Sequence, residues 1–459
     1  MQKWRPILAT LGNTILHKFL LLLVVLAPLP LGSNREWAWT LCAFIAAVIT
    51  LGWVVQALFR PQQVSVSLKP PVIILFLAVV TWAWLQTVAW VPSDWKHPLW
   101  GMNAEVLGVT LPGSISLSVQ DSLIAVMRLL SYGLVFFLAF QYGRNREKAL
   151  SSFKWIAFAG FAYAIYGLII FWGEFGTLFW FYDAGYKADV RGTFVNRNSF
   201  ATYVGLSLLC AIAVFNQQVA RRRGGGFVMP MGREQRIERF ILQVWKPLTA
   251  ILLMTTALIL THSRGGFFST LAGGMVLLFL LNKRQQGHSA KSKAVLGGAV
   301  LVAVLAFVLT SEVLLDRIDR LTVDGNARIE VYGMTADAID DSPVLGFGYG
   351  TFTDSFRLYR DDRLGAHFDK THNTYLENIF ELGWPVAGGL FLCIGWLTLL
   401  CLKGAWNRGR DWVYPATGVA ATVLVAVHSF FDFSLQMPGV AITYACILGV
   451  GCAQSYSSR

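Results

Sequence analysis

Charge is what this sequence has least of. Only 14% of its 459 residues are Asp, Glu, Lys or Arg, well below the roughly 25% typical of soluble domains. There is no zinc or disulfide spacing among the six cysteines, Cys42, Cys210, Cys393, Cys401, Cys446 and Cys452. They lie in or beside apolar runs and read as small packing residues. No phosphate loop is present: Gly346-Phe347-Gly348-Tyr349-Gly350 has no Lys-Ser/Thr after it and no βαβ pattern around it, so it reads as a tight turn after Pro343. No internal repeat is evident. These absences exclude a disulfide scaffold, a zinc module and a nucleotide-binding α/β domain.

What is present is apolar length. The chain is 55% hydrophobic with a mean hydropathy of +0.54. About twelve apolar runs fall near 16–33, 37–59, 70–91, 121–142, 153–173, 198–216, 247–262, 266–282, 294–311, 374–401, 413–431 and 437–454. Most are long enough to span a hydrocarbon core of about 30 Å as a helix. The expected fold is all-α: one polytopic membrane domain over 1–459, with a long loop at 312–373 inserted between spans nine and ten. The basic N-terminus before the apolar residues 19–31 is read as leading into an uncleaved first span, not a signal peptide.

The net charge of +12 reports topology, not nucleic-acid binding. With both termini in the cytoplasm, the inner loops hold about 24 of the 38 basic residues and the short outer loops about six. Seven more lie in the long outer loop, and Arg128 lies inside a span. Residues 92–120 then form a Trp- and Pro-rich outer loop. Residues 217–246 form a basic cytoplasmic loop. A helical stretch is expected near 328–341, and the acids and arginines around it read as a solvated surface, not a metal cage.

This orientation puts three marked helix starts on the outer face. They are Arg191-Gly192-Thr193-Phe194-Val195-Asn196-Arg197-Asn198-Ser199, Thr261-His262-Ser263-Arg264-Gly265-Gly266, and Thr371-His372-Asn373-Thr374-Tyr375-Leu376-Glu377. Each presents free N–H groups and about half a positive charge. With Arg191, Arg197 and Arg264 they suit a pyrophosphate, whose oxygens match the arginine fork. His372 beside such cations stays neutral, as a general base must. Asn373 and Glu377 share a helix face, and Glu377 is suited to orient a partner or an acceptor hydroxyl. Blander roles also exist: arginines at span ends snorkel into headgroups, Asn198-Ser199 suits N-capping, and His262 suits a cap on the seventh span. His428 and Asp432, four apart, suit a structural pair. Arg128 is expected to pair or to line a polar cavity.

Together these motifs resemble the O-antigen ligase and polymerase superfamily of bacterial membrane glycosyltransferases. The matching residues are Arg191-Gly192-Thr193-Phe194 with Asn196 and Asn198, His262 to Gly266, Pro343 with Gly346-Phe347-Gly348, and His372 to Glu377. Arg197 departs from the pattern, since many relatives carry Pro there. The resemblance implies a GT-C-like multi-helix enzyme in the bacterial inner membrane, with its active site facing the periplasm. It implies a donor glycan on undecaprenyl pyrophosphate and an acceptor that is lipid A-core or a growing glycan. It implies no metal, no cofactor and no nucleic-acid partner; membrane lipids surround the enzyme. The family's functional residues carry over to Arg191 and Arg264 as pyrophosphate ligands and to His372 as catalytic base. Arg197, Asn373, Glu377 and Arg128 are accessory candidates. Ligase is the favoured activity and polymerase the alternative. A lipid-linked oligosaccharide flippase or other transporter is the alternative of another class, disfavoured because the polar landmarks collect at one face.

Overall fold

The computed structural model describes residues 4–59, 70–175, 177–178, 182–183, 189–223, 233–284, 315–362, 364–365 and 368–456. The helices are α1 (Trp4–Leu26), α2 (Glu36–Phe59), α3 (Pro70–Leu85), α4 (Pro98–Leu107), α5 (Val119–Gly143), α6 (Arg146–Trp172), α7 (Arg197–Arg223), α8 (Arg233–Leu260), α9 (Arg264–Arg284), α10 (Leu315–Asp341), α11 (Phe352–Ser355), α12 (Thr374–Leu382), α13 (Trp384–Asn407), α14 (Val413–His428) and α15 (Pro438–Ala453). A two-residue strand pair, Thr177–Leu178 with Tyr182–Asp183, is the only sheet among the described residues.

Six of these helices are long and apolar enough to cross a membrane: α2, α5, α6, most of α7, α9 and α13. Five shorter apolar helices accompany them, within α1, α3, α8, α14 and α15. Apart from that strand pair the regular structure of the described residues is helical, and the chain is a multi-pass membrane protein. The ninth expected span, 294–311, lies outside the described residues.

The interior of the bundle is α7, α14 and α15. In the most apolar stretch of α7, 83% of the residues are buried, against 22% in α2 and α13. Those outer helices turn Phe44, Leu58, Leu392 and Leu399 outward, as a lipid-facing surface requires. Small residues permit close helix contact. Gly449 of α15 lies against the Phe136 carbonyl of α5, and Gly273 of α9 against the Ala420 carbonyl of α14.

The expected boundaries need three corrections. The first span stops at Leu26, because Pro28 and Pro30 supply no amide hydrogen to continue it. The expected loop at 217–246 is helical over 217–223 and 233–246, since α7 and α8 run on past their apolar parts. The tenth span is two helices, α12 and α13, divided at Gly383. Its φ is +78°, and a Cβ there would lie 2.1 Å from the Val344 carbonyl oxygen. Only glycine fits.

The long insert is largely structured. In α10, Val331, Met334, Ala338 and Ile339 bury against Phe347, Phe352, Phe356 and Phe380, and the same cluster reaches Val79, Val80, Val126 and Leu129 on α3 and α5. Phe347 stacks on Phe380 with centroids 4.5 Å apart. The turn at 346–348 docks on the end of α12 through Phe347 N–H to Phe380 O at 3.0 Å and Gly348 N–H to Glu381 O at 3.1 Å. This small second core fixes the chain that leads into α12.

Candidate active site

The starts of α7, α9 and α12 gather at one end of the bundle. The segment before α7 is pinned to the end of α8 by Val190 N–H to Leu260 O at 2.9 Å. Thr193 Oγ1 donates to Pro28 O at 2.6 Å. Gly192 takes φ +55°, with the Phe200 ring where a Cβ would stand, so the Arg-Gly turn is closed in a way other residues do not allow.

An acid the sequence did not point to organises the first cluster. Asp189 Oδ2 lies 2.9 Å from Arg197 Nη1 and 3.8 Å from Arg191 Nη2, and Oδ1 lies 3.0 Å from His262 Nδ1. Burial alone would raise the Asp189 carboxyl. The His262 hydrogen bond and the Arg197 charge outweigh it and hold the carboxyl below its usual value. Arg191 Nη1 also donates to Val195 O at 3.2 Å. His262 is therefore a partner of Asp189 and not only an end cap. Its φ of +51° is matched by His372 at +57°.

The second cluster surrounds His372. Asn373 caps α12, its Oδ1 accepting from Tyr375 N–H and Leu376 N–H at 3.1 Å each. Tyr332 of α10 donates to the His372 carbonyl at 3.0 Å. Thr374 N–H bonds Ser429 O at 2.8 Å, and Thr374 Oγ1 bonds Asp432 O at 2.9 Å. The ring packs against Phe433, centroids 4.9 Å apart. Its Nδ1 is buried, has no hydrogen-bond partner among the described residues and lies 3.7 Å from Asp432 Oδ1. The side chain remains 21% exposed, so the ring keeps an open edge.

Burial and the nearby Arg328 push the His372 ring down to about 4, against a smaller opposing pull from Glu377. The imidazole is neutral at pH 7. Burial pushes Asp432 up to about 6, moderated by the Phe433 amide, Asn198, Arg328 and Arg197. It is ionised at pH 7. Asn198 and Arg197 stand at the start of α7, so Asp432 has the first cluster on one side and His372 on the other.

Two expectations are corrected here. His428 and Asp432 do not pair: α14 ends at His428, the chain turns, and His428 Nδ1 meets Thr202 Oγ1 at 2.7 Å instead. At the start of α7 the capping acceptor is Asn196, whose Oδ1 takes Asn198 N–H at 2.7 Å, while Asn198 acts on Asp432. Glu377 is buried, and of the two roles expected of it the structure shows the orienting of partners. It accepts from Lys370 Nζ at 3.0 Å, Thr371 N–H at 3.1 Å, Thr371 Oγ1 at 2.9 Å and Gln436 Nε2 at 2.9 Å, and so holds the chain that enters His372. Arg128 is held at the turn before the last helix. It donates to Gln436 O and lies over the Trp39 ring, 5.0 Å from its centroid, bracing the turn before α15.

Arg264 begins α9 and is exposed. It forms no ion pair with a described residue. Next to it, a Cβ on Gly265 would lie 3.2 Å from the His428 ring and 3.7 Å from Phe431 Cβ. Arg264 thus starts its helix beside the 428–432 turn that carries Asp432. The sequence motifs marked the three helix starts. The acids that join them, Asp189 and Asp432, sit outside the motifs, as do Arg328, Lys370 and Gln436.

A multi-pass helical protein with cations and a neutral histidine at one end of the bundle is suited to chemistry on an anionic substrate at a membrane surface. Residues 249–392 match the family model described as O-antigen ligase. The segment includes Arg264, His372, Asn373 and Glu377, and the resemblance seen in the motifs is borne out by it. The match supports a ligase- or polymerase-type glycosyltransferase in general terms. No curated protein matches the chain.

Proposed function

We propose that the protein transfers a glycan from undecaprenyl pyrophosphate to a hydroxyl of lipid A-core at the periplasmic face of the inner membrane, with inversion at the anomeric carbon. The observation that carries this reading is the His372–Asp432 approach at 3.7 Å, beside the start of the helix that bears Arg197 and Asn198.

In this reading the arginines bind the diphosphate of the donor. Arg264, exposed and without an ion pair among the described residues, is the cation most available to an incoming anion. Asp432 accepts a hydrogen bond from Nδ1–H of His372 when the ring approaches, which fixes the tautomer and leaves Nε2 unprotonated as the base. Nε2 takes the proton of the acceptor hydroxyl. That oxygen bonds to the anomeric carbon, and the bond from that carbon to the diphosphate oxygen breaks. The electron pair leaves with the diphosphate, where Arg191 and Arg264 stabilise it. Such electrostatic stabilisation is usually the largest contribution, with general-base help worth about 10²–10⁴-fold. The scheme uses no metal or cofactor.

Glycan transfer by purified protein tests the reading, with lipid-diphosphate glycan as donor and lipid A-core as acceptor. Growth of the donor glycan without transfer to lipid A-core would make the enzyme a polymerase. A product with retained configuration would overturn the single displacement.

A further inference from the structure

We propose that Asp189 is a resident counter-anion of the donor site, a positioning residue that fans out Arg191, Arg197 and His262 and limits how tightly they hold a diphosphate. This rests on the reading of Arg191 as a diphosphate ligand. The carboxylate lies beneath its partners: its side chain is 3% exposed, while those of Arg191, Arg197 and His262 are 12%, 35% and 26% exposed. Their open edges therefore face away from Asp189. The two oxygens divide the partners. Oδ1 fixes His262 through Nδ1 at 3.0 Å, and Oδ2 takes a hydrogen bond from Arg197 at 2.9 Å. Arg191 at 3.8 Å is within ion-pair range but beyond hydrogen-bond range. Asp189 thus offsets the charge of Arg191 without using one of its N–H donors.

The consequence is a controlled affinity. Arg191, Arg197 and Arg264 supply three positive charges, and Asp189 removes one. Both the donor and the lipid product of the transfer carry a diphosphate. A site that held this group too strongly would retain its product, and product release limits many enzymes. A buried anion placed among the cations lowers the affinity for both while keeping the side chains ordered.

The test compares wild type, Asp189→Asn and Asp189→Glu as full-length protein in detergent. Binding of inorganic pyrophosphate is measured by calorimetry, beside the steady-state kinetics of glycan transfer. Asp189→Asn should bind pyrophosphate about tenfold more tightly, lower the donor KM and lower kcat together. Asp189→Glu should return all three toward wild type. A purely structural carboxylate would raise KM or leave it unchanged. Unchanged or weaker pyrophosphate binding by folded Asp189→Asn overturns the proposal, as does a wild type that binds no pyrophosphate at millimolar concentration. Should Asp189→Asn fail to fold, Asp189→Ser carries the same expectation and the same overturning result. Tighter pyrophosphate binding in a protein that transfers no glycan would leave the counter-anion standing and remove the glycosyl-transfer reading. Transfer without any gain in pyrophosphate affinity would do the reverse.

Discussion

His372 Nδ1 faces Asp432 Oδ1 across 3.7 Å, and both groups are buried where they meet. Neither residue is placed by its own helix. His372 precedes the cap of α12 at φ +57°, and Asp432 follows the end of α14. Their approach depends on the two bonds from Thr374 to Ser429 and Asp432. Asp432→Asn keeps the size of the side chain and removes its charge. Transfer should fall by about 10²-fold, with the donor KM little changed, as steady-state kinetics on wild type and variant would show.

The same pair sets an acid limit. Asp432 carries its charge only above about 6, and His372 stays neutral down to about 4. kcat/KM should therefore decline as pH falls through about 6, well before the histidine protonates. In Asp432→Asn the break at 6 should vanish, leaving only the lower one. A profile whose break near 6 persists in Asp432→Asn would assign that ionisation elsewhere.

Stability should move the other way. The folded-state value of Asp432 is raised from 3.8 to about 6, so the buried charge destabilises the fold above about 6. That cost fades as pH falls toward 3.8. Asp432→Asn should raise the melting temperature at pH 7.5, by stability on the order of 2–3 kcal/mol, and less at pH 5. Gain of stability with loss of activity is the expected signature of a functional charge.

How much of this was legible in the sequence follows from what periodicity and charge can carry. The spans were readable because a membrane demands long apolar helices, and residues 70, 264 and 374 do begin helices at or close to the expected positions. The break at Gly383 was hidden, because Trp384-Pro385 continues an apolar run and only the docked turn at 343–345 shows why a glycine stands there. Asp432 was not assigned to the site because its partner His372 is far away in sequence, and Asp189, though only two residues before Arg191, lies outside the motif and meets His262 only through the fold. Local patterns cannot register such pairs. Arg264 and His372 were found because each sits in a local motif at a helix start.

Gly383 gives a purely structural check. Gly383→Ala would force a Cβ against the Val344 carbonyl at a φ of +78°. Destabilisation of at least about 1–3 kcal/mol is expected, seen as a lower melting temperature. Activity should fall too, because α12 begins at Thr374, two residues after His372, and ends at this break.

Glu377 should behave as a brace. It is 1% exposed and holds Lys370, Thr371 and Gln436. Glu377→Gln keeps some of these bonds, so the loss of transfer should be smaller than for His372→Ala, with a lower melting temperature. A Glu377→Gln enzyme as inactive as His372→Ala, yet of wild-type stability, would instead make Glu377 a direct participant.

The most direct test of the central claim is glycan transfer by purified wild type, His372→Ala and Arg264→Ala, with folding checked by thermal melts. Wild type should move the lipid-diphosphate glycan to lipid A-core, His372→Ala should lower the rate by about 10²–10⁴-fold, and Arg264→Ala should impair both donor KM and turnover. Wild-type rates in folded His372→Ala would contradict that claim.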